Sequence, residues 1–311
     1  MKPFITILLE CILIAPPLSG QTQVRRPPIL GISHAAYFVS NLPKTLAFYE
    51  NFLGFAEPYD LKRPDGTVRI AFIKINDYQH IELFAEPPKD DGMLSHISIY
   101  TDNAELMREY LASRHVKVPA KVGKGKTGDK NFNITDPDGH TVEIVEYEPD
   151  GWAMQGRGTF MPPTRISDHI MHVGILVGSL ENSMKFYGGI LGFKEFWRGS
   201  ASGKTLSWVD MRVPDGHDYL EFMLYRDLPP QDKRGGAHHF CLVTPDIARS
   251  VSALESRPAF RIYGKQIEIK VGHNRQRQAN LFDPDGTRIE LMEPFTIDGK
   301  PTPPSTAAPP R

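Results

Sequence analysis

The chain predicts an α+β fold of two similar halves, each built from two βαβββ units whose strands curl around a cleft. Three observations carry this expectation. The phrase Asp136-Pro137-Asp138-Gly139 leading to Glu143 recurs as Asp283-Pro284-Asp285-Gly286 leading to Glu290, with the carboxylate seven residues after the first Asp both times. The stretch His34 to Gly54 is answered by His172 to Gly192, with a Tyr fifteen and a Gly twenty residues after the His in each. Strand-like and helical runs follow in the same order on either side of a Pro- and Gly-containing stretch at 149–164.

The elements follow in chain order. Ile32 to Val39 reads as a strand, and Asn41 is placed to cap a helix with Pro43 in its first turn and Leu46, Ala47, Tyr49 and Leu53 at helical spacing, ended by Gly54. Phe55 to Asp60, Val68 to Ile75 and His80 to Phe84 read as three strands and complete the first unit. The second unit opens at His96 to Tyr100, has its helix at Ala104 to Ser113, passes a Gly/Lys-rich loop at Lys121 to Lys130 and closes on Asp136 to Glu146. In the second half His172 to Val177 matches the strand at His34. Gly199 to Trp208 reads as a hairpin, because Gly203-Lys204-Thr205 lacks the glycine spacing and following helix of a phosphate loop. His239 to Leu242 opens the fourth unit, with Asp246 to Leu254 as its helix and Glu290 on its last strand. Asp-Pro-Asp-Gly is turn chemistry, since Pro fixes φ and Asp-Gly tolerates the positive φ needed to turn back into a strand. The two domains are therefore expected at 29–148 and 165–295, joined by a linker at 149–164 and followed by a Pro-rich tail, 296–311, expected to be disordered.

Composition narrows the function. The 311 residues have a formal net charge of −1 and no basic stripe, which argues against nucleic acid or an anionic membrane as the main partner. Residues 1–20, with an apolar run from Phe4 to Ala15 and then Pro16-Pro17-Leu18-Ser19-Gly20, resemble a secretory signal peptide cleaved near Gly20. Glu10 is unusual inside that run, and the run is too short for a comfortable membrane span, so no stable membrane insertion is expected after cleavage. Cleavage removes Cys11 and leaves Cys241 alone, without an intrachain disulfide.

Each half carries a His, Glu, His, Glu series: His34, Glu82, His96 and Glu143, then His172, Glu221, His239 and Glu290. Strand alternation sets these side chains opposite apolar neighbours such as Val173, Leu220, Phe240 and Ile289, which pack under the helices, so the polar ones face the cleft. Clustered imidazole and carboxylate suit a divalent transition metal. His238, next to His239, is turned outward by the same alternation, whereas Cys241 and Met292 share the cleft face with His239 and Glu290. His273, Arg275 and Arg277 precede the last turn and can meet an anionic substrate group, or equally form a solvated edge.

On the His34 and His172 strands, the Phe-Tyr and Leu-Gly-Phe helix markers, the Glu and His positions and both Asp-Pro-Asp-Gly turns, the chain resembles the vicinal oxygen chelate superfamily across residues 30–148 and 166–294. That superfamily includes glyoxalase I, extradiol dioxygenases and bleomycin- or fosfomycin-resistance proteins. The resemblance implies one divalent metal (nickel, zinc, cobalt, manganese or iron) per active site, a small oxygenated organic substrate bound through two adjacent oxygens, and in some members a homodimer. In glyoxalase-like members four ligands of this type hold the metal and a Glu shuttles the substrate proton; by that likeness Glu290 and Glu221 are the catalytic pair, with Glu143 and Glu82 in the first half. The second-half spacings of 49, 18 and 51 residues lie closer to that pattern, which makes this half the preferred one and lyase or isomerase chemistry the expectation. In extradiol dioxygenases Fe(II) is held by two His and one Glu, a set His172, His239 and Glu290 can supply. Two departures count against this: Asn280 stands where those enzymes place an active-site Tyr, and Glu221 where they place a catalytic His. A drug-binding protein of this fold needs no metal ligands, so the retained series disfavours that third reading.

Overall fold

The computed structural model describes residues 24–89, 92–225 and 227–310. The expected leader at 1–20 lies outside them. In the first half the elements are β1 (Ile29–Phe38), α1 (Leu42–Ala47) continuing into a π-helical turn (Phe48–Phe52), β2 (Ala56–Lys62), β3 (Val68–Lys74), β4 (His80–Phe84), β5 (Leu94–Thr101), α2 (Ala104–Ser113), β6 (Gly123–Lys124), β7 (Lys130–Thr135) and β8 (Thr141–Glu146). A short α3 (Trp152–Gln155) lies in the connection. The second half has β9 (Ile170–Val177), α4 (Leu180–Ser183) with a π-helical turn (Met184–Ile190), β10 (Lys194–Gly199), β11 (Trp208–Arg212), β12 (Tyr219–Leu224) and β13 (His239–Val243). It ends with α5 (Ile247–Glu255), α6 (Phe260–Tyr263), β14 (Lys270–Val271), β15 (Gln276–Phe282) and β16 (Arg288–Thr296).

Two eight-stranded sheets result, ordered β2-β3-β4-β1-β5-β8-β7-β6 and β10-β11-β12-β9-β13-β16-β15-β14. The topology is that of tandem α+β domains, each two βαβββ units. Within each sheet β1 and β4, β5 and β8, β9 and β12, and β13 and β16 run parallel; every other neighbouring pair is antiparallel. The helices start where the caps are. Asn41 Oδ1 accepts from Lys44 N at 3.1 Å, Asn103 Oδ1 from Leu106 N at 2.8 Å and Asp246 Oδ1 from Arg249 N at 3.0 Å. The first helix buries Phe48, Tyr49 and Phe52, and Gly54 at φ +79° ends it in a conformation that disfavours a side chain. The Gly/Lys-rich loop is more ordered than expected, forming the β6–β7 hairpin with Gly123 opposite Asn131.

The two Asp-Pro-Asp-Gly turns interlock the halves. Asp138 accepts from Gly178 N and Ser183 Oγ, both at 2.9 Å, at the start of the second half's first helix. Asp285 accepts from Ser40 N at 3.2 Å and Thr45 Oγ1 at 3.4 Å at the start of the first half's helix. A carboxylate at each helix N-terminus is favoured by the orphan N–H groups and the helix dipole. Closer to the centre, β1 and β9 are joined by a second reciprocal pair: Ile32 N donates to Asp218 Oδ2 and Ile170 N to Gln79 Oε1, both at 2.8 Å. Apolar side chains of both halves form one continuous core.

The first Asp of each turn is not equally served. Asp136 Oδ2 takes bonds from His140 Nδ1 and Tyr187 OH, both at 2.9 Å. At the matching place Thr287 replaces His140, and Asp283 Oδ2 and the hydroxyls of Tyr37 and Tyr49 are buried without hydrogen-bond partners among the described residues. Burial, reinforced by the Asp285 charge and partly offset by backbone donors, pushes the Asp283 carboxyl up to about 7. The folded state therefore holds a proton that the unfolded chain releases near pH 4, so this residue's contribution to stability declines as pH rises from about 4 to 7. Asp283→Asn keeps the acceptor for Thr287 N and removes the charge; it is expected to raise unfolding stability by about 1–2 kcal/mol at pH 8 and hardly at all at pH 4. Urea unfolding at the two pH values measures this.

The tail is not disordered. Ile297 N donates to Arg275 O at 2.9 Å, Thr302 Oγ1 to Asn274 O at 2.5 Å and Ser305 N to Arg198 O at 2.9 Å, and Leu206 N donates to Ala308 O at 2.8 Å. Proline composition predicts a chain that cannot fold on itself, but these bonds come from the second domain.

Candidate metal centres

In each half the four series positions fall on the four central strands. His34, Glu82, His96 and Glu143 sit on β1, β4, β5 and β8. His34 Nε2 lies 3.0 Å from His96 Nε2, 2.9 Å from Glu143 Oε2 and 3.7 Å from Glu82 Oε1. His96 Nε2 is 3.4 Å from Glu143 and 3.6 Å from Glu82. The other ring nitrogens are tied back: His34 Nδ1 to Ser33 Oγ at 2.9 Å, and His96 Nδ1 to Ser95 Oγ at 3.2 Å. Ser33 Oγ is in turn 2.7 Å from Tyr147 OH. These contacts orient the imidazoles with Nε2 toward the common gap, as second partners of ligand histidines do. The group borders a cavity of about 680 Å³ that also reaches Gly125, Lys126 and Thr127 of the β6–β7 hairpin.

The second half repeats the arrangement on β12, β9, β13 and β16. His172 Nε2 lies 3.1 Å from His239 Nε2 and 3.3 Å from Glu290 Oε2, while His239 Nε2 is 3.2 Å from Glu221 Oε2 and 3.8 Å from Glu290. His239 Nδ1 meets Ala237 O at 2.8 Å, which orients the ring with Nε2 toward the gap. Gly174 stands in register with both Glu221 and His239, and a Cβ there would lie 2.0 Å from His239 Cε1, so the ring needs that missing side chain. The cavity here is smaller, about 430 Å³, walled by Trp197, Trp208, His273 and Asn274.

Charge follows geometry. Burial pushes Glu82, Glu143, Glu221 and Glu290 up, yet the facing histidines outweigh it and leave all four below the usual carboxylate range, Glu290 near about 2 with help from Arg288. Burial pushes His34 down and is outweighed by Glu82 and Glu143, which raise it. His239 is lowered by burial and then by Arg288. Imidazole and carboxylate groups aimed at one gap in a buried site are satisfied by a bound cation or by protonation of the histidines. The donor sets His34, His96 and Glu143 in the first half and His172, His239 and Glu290 in the second, two imidazole nitrogens and a carboxylate each, suit a first-row divalent metal.

Several residues here were not singled out in the sequence. His80 stacks on His34 with ring centres 4.4 Å apart and reaches Glu82 at 3.4 Å; Tyr219 takes its place against His172. Two positions before Glu82 on the same face was the signal available. Arg288 Nη2 lies 2.7 and 2.9 Å from the ring nitrogens of His239, and Gln278 Nε2 donates to Glu290 Oε1 at 2.7 Å. Asp210, opposite Glu221, is buried with Oδ1 unpartnered and is pushed far up by burial and then by Glu221 and Glu290. Of the expected substrate contacts, His273 and Met292 line the cavity. Cys241 is fully buried in register with Glu290 and does not line it, and Arg277 pairs with Glu293 at 2.9 Å away from it. Arg275 pairs with Asp298 instead. His238 packs outward against His140.

Fold and site together define a protein of tandem α+β domains with a candidate metal centre in each. Residues 31–144 and 169–291 match the family model described as Glyoxalase/Bleomycin resistance protein/Dioxygenase superfamily, and the chain belongs to that family. The protein YwbC of Bacillus subtilis (strain 168) is 22% identical over 123 residues, 37% of this chain and 96% of its own. Among solved structures, a catechol 2,3-dioxygenase superposes with a TM-score of 0.64 at 16% identity, covering 92% of this chain and 93% of that one. The 2,3-dioxygenase LapB from Pseudomonas sp. KL28 gives 0.62 at 16% identity, covering 89% and 97%. The Mn(II)-bound glyoxalase from Novosphingobium aromaticivorans gives 0.62 at 17%, covering 91% and 88%. At such identities the likeness is one of fold.

Proposed function

We propose that the protein is an exported, divalent-metal-dependent enzyme that binds a small organic substrate through two adjacent oxygens and carries out non-redox lyase or isomerase chemistry. The observation that supports it is a second carboxylate beside each His-His-Glu group: Glu82 lies 3.7 Å from His34 and 3.6 Å from His96, and Glu221 lies 3.2 Å from His239. A divalent ion held by these residues would supply Lewis-acid stabilisation of charge developing on substrate oxygen, worth several kcal/mol in the transition state. Around it His34, His96 and Glu143, or His172, His239 and Glu290, hold the gap open and anionic. Glu82 and Glu221, ionised at neutral pH, are the groups positioned to take a proton from a substrate carbon and return it to its neighbour.

The halves are not equal on this reading. Arg288 stands against His239 in the second half and has to withdraw when a metal binds. In the first half no guanidinium or ammonium lies at the four ligands among the described residues, and the cavity is larger. That weighs toward the first half as the readier site, against the spacing argument for the second.

A second reading, an Fe(II) ring-cleaving dioxygenase, is favoured by one feature: His172, His239 and Glu290 converge without Glu221. The two separate in one experiment on the purified chain beginning at Gln21. Elemental analysis should give one or two equivalents of nickel, zinc, cobalt or manganese, and α-hydroxycarbonyl compounds incubated in D₂O should gain deuterium at carbon. Iron together with O₂ uptake on a catechol points to the dioxygenase. No metal after reconstitution leaves a binding protein. A mature chain still beginning at Met1 would remove export from the proposal.

A further inference from the structure

Each sheet is open, and in each half the chain leaving the last strand crosses from one sheet edge to the other. In the first half the connection leaves β8, and Trp152 N donates to Thr127 O at the β6–β7 turn at 2.8 Å. It then reaches the opposite edge, where Tyr59 OH donates to Trp152 O at 2.9 Å and Lys74 Nζ to Gly156 O at 2.5 Å. In the second half the tail leaves β16, and Thr302 Oγ1 holds Asn274 O at the β14–β15 turn. It also reaches the far edge, through Ser305 N to Arg198 O, with Ala308 bridging Thr205. Asn274 corresponds to Thr127, each sixteen residues before the Glu of the last strand, and Arg198 follows Trp197, the counterpart of Tyr59 counted from the two strand histidines. The anchors flank the second cavity directly: Asn274 lines one wall, and Trp197 and Trp208, on the strands bearing Arg198 and following Leu206, line the other.

We infer that Lys300–Ala308 is a specificity-determining strap across the mouth of the second cleft, admitting to its metal centre only compact, flat oxygen-chelating molecules. The inference rests on the proposed metal centre in that half. The two bridges differ in consequence. The first is held at both ends because the chain continues into the second domain. The second is fixed by a few hydrogen bonds, with exposed residues 301, 303, 304 and 306, and it can lift without unfolding a strand. The smaller cavity beneath it is walled by a Trp208–His273 ring pair with centres 5.3 Å apart, a surface for a planar ligand.

The test uses zinc-loaded chain carrying His34→Ala and His96→Ala, so that the second centre alone holds metal. Zinc release to a small planar chelator, 8-hydroxyquinoline, and to a bulky one, bathophenanthroline disulfonate, is followed at equal free affinity. With the tail present the bulky chelator is expected to lag by on the order of tenfold, and truncation after Gly299 should abolish that lag. Thr302→Val with Ser305→Pro, which keeps the whole chain and removes two anchors, should reduce the lag in the same direction. An unchanged lag in both, with zinc content intact, overturns the strap. Absence of zinc from the parent variant overturns the metal-centre reading and the strap with it.

Discussion

Alanine in place of His34 is expected to lower the metal content of the purified chain by one equivalent, and alanine in place of His172 by the other. His34 Nε2 has His96, Glu143 and Glu82 within 3.7 Å, and its remaining nitrogen is fixed by Ser33. Its loss leaves one imidazole and two carboxylates around the gap. Because loss of an outer hydrogen-bond partner alone weakens metal sites by about 10–100-fold, loss of a ligand should weaken binding by ~100-fold or more. Unfolding gives a second readout. A ligand at about 100 times its Kd stabilises a folded chain by about 2.7 kcal/mol, so added metal should raise the Tm of the parent and lose about half that effect in each single variant. The apo chain should be destabilised as well, since His34 is the partner that holds the buried Glu82 and Glu143 carboxylates below their usual range. Unchanged metal per chain, with an unchanged Tm response, would falsify the first-half centre; the same result for His172→Ala would dismiss the second.

The eight ligands were legible because strand alternation and a duplicated spacing both report on them. Period two says which face Glu290 occupies, and repetition says that His172, Glu221 and His239 share it. Alternation puts Arg288 on the face of Glu290 but does not say that its guanidinium folds onto His239, and it says nothing of which residue of a neighbouring strand stands opposite, so Arg288 and the buried Asp210 were missed. Cys241 was assigned to the correct face, but face is not depth: it lies under the ligands and out of the cavity. The reciprocal contacts of Asp138 and Asp285 were out of reach, since each acts on a helix in the other half. The tail was misread for a related reason. Pro301, Pro303 and Pro304 cannot build a sheet, yet a proline-rich segment needs few donors of its own when Leu206 and a neighbouring turn supply the other halves of its bonds.

Asp218→Ala is expected to lower unfolding stability by about 3 kcal/mol, the largest effect outside the metal centres. Asp218 is buried where β1 and β9 meet, and its oxygens accept from Ile32 N at 2.8 Å, Gln79 Nε2 at 3.1 Å and His169 Nε2 at 2.7 Å. Gln79 keeps other acceptors, the carbonyls of Ile32 and Ile170, so its loss is small. The Ile32 N–H does not; a buried donor left without a partner costs about 1–3 kcal/mol. The His169 bond adds a charge-assisted contact in a half-exposed position, discounted for screening. That contact gives the prediction a pH signature. Burial pushes His169 down and is outweighed by Asp218, so its folded pKa lies above the ordinary value. Such a group stabilises fully below the unfolded pKa of 6.5 and loses its contribution as pH rises through the folded value. The gap between parent and Asp218→Ala should therefore be wider at pH 6 than at pH 9, while Asp218→Asn, which keeps an acceptor for Ile32 N, should lose about half as much and show little pH dependence. A deficit below about 0.5 kcal/mol by urea unfolding, flat with pH, would mean that the reciprocal Gln79 bond to Ile170 holds the two strands together alone.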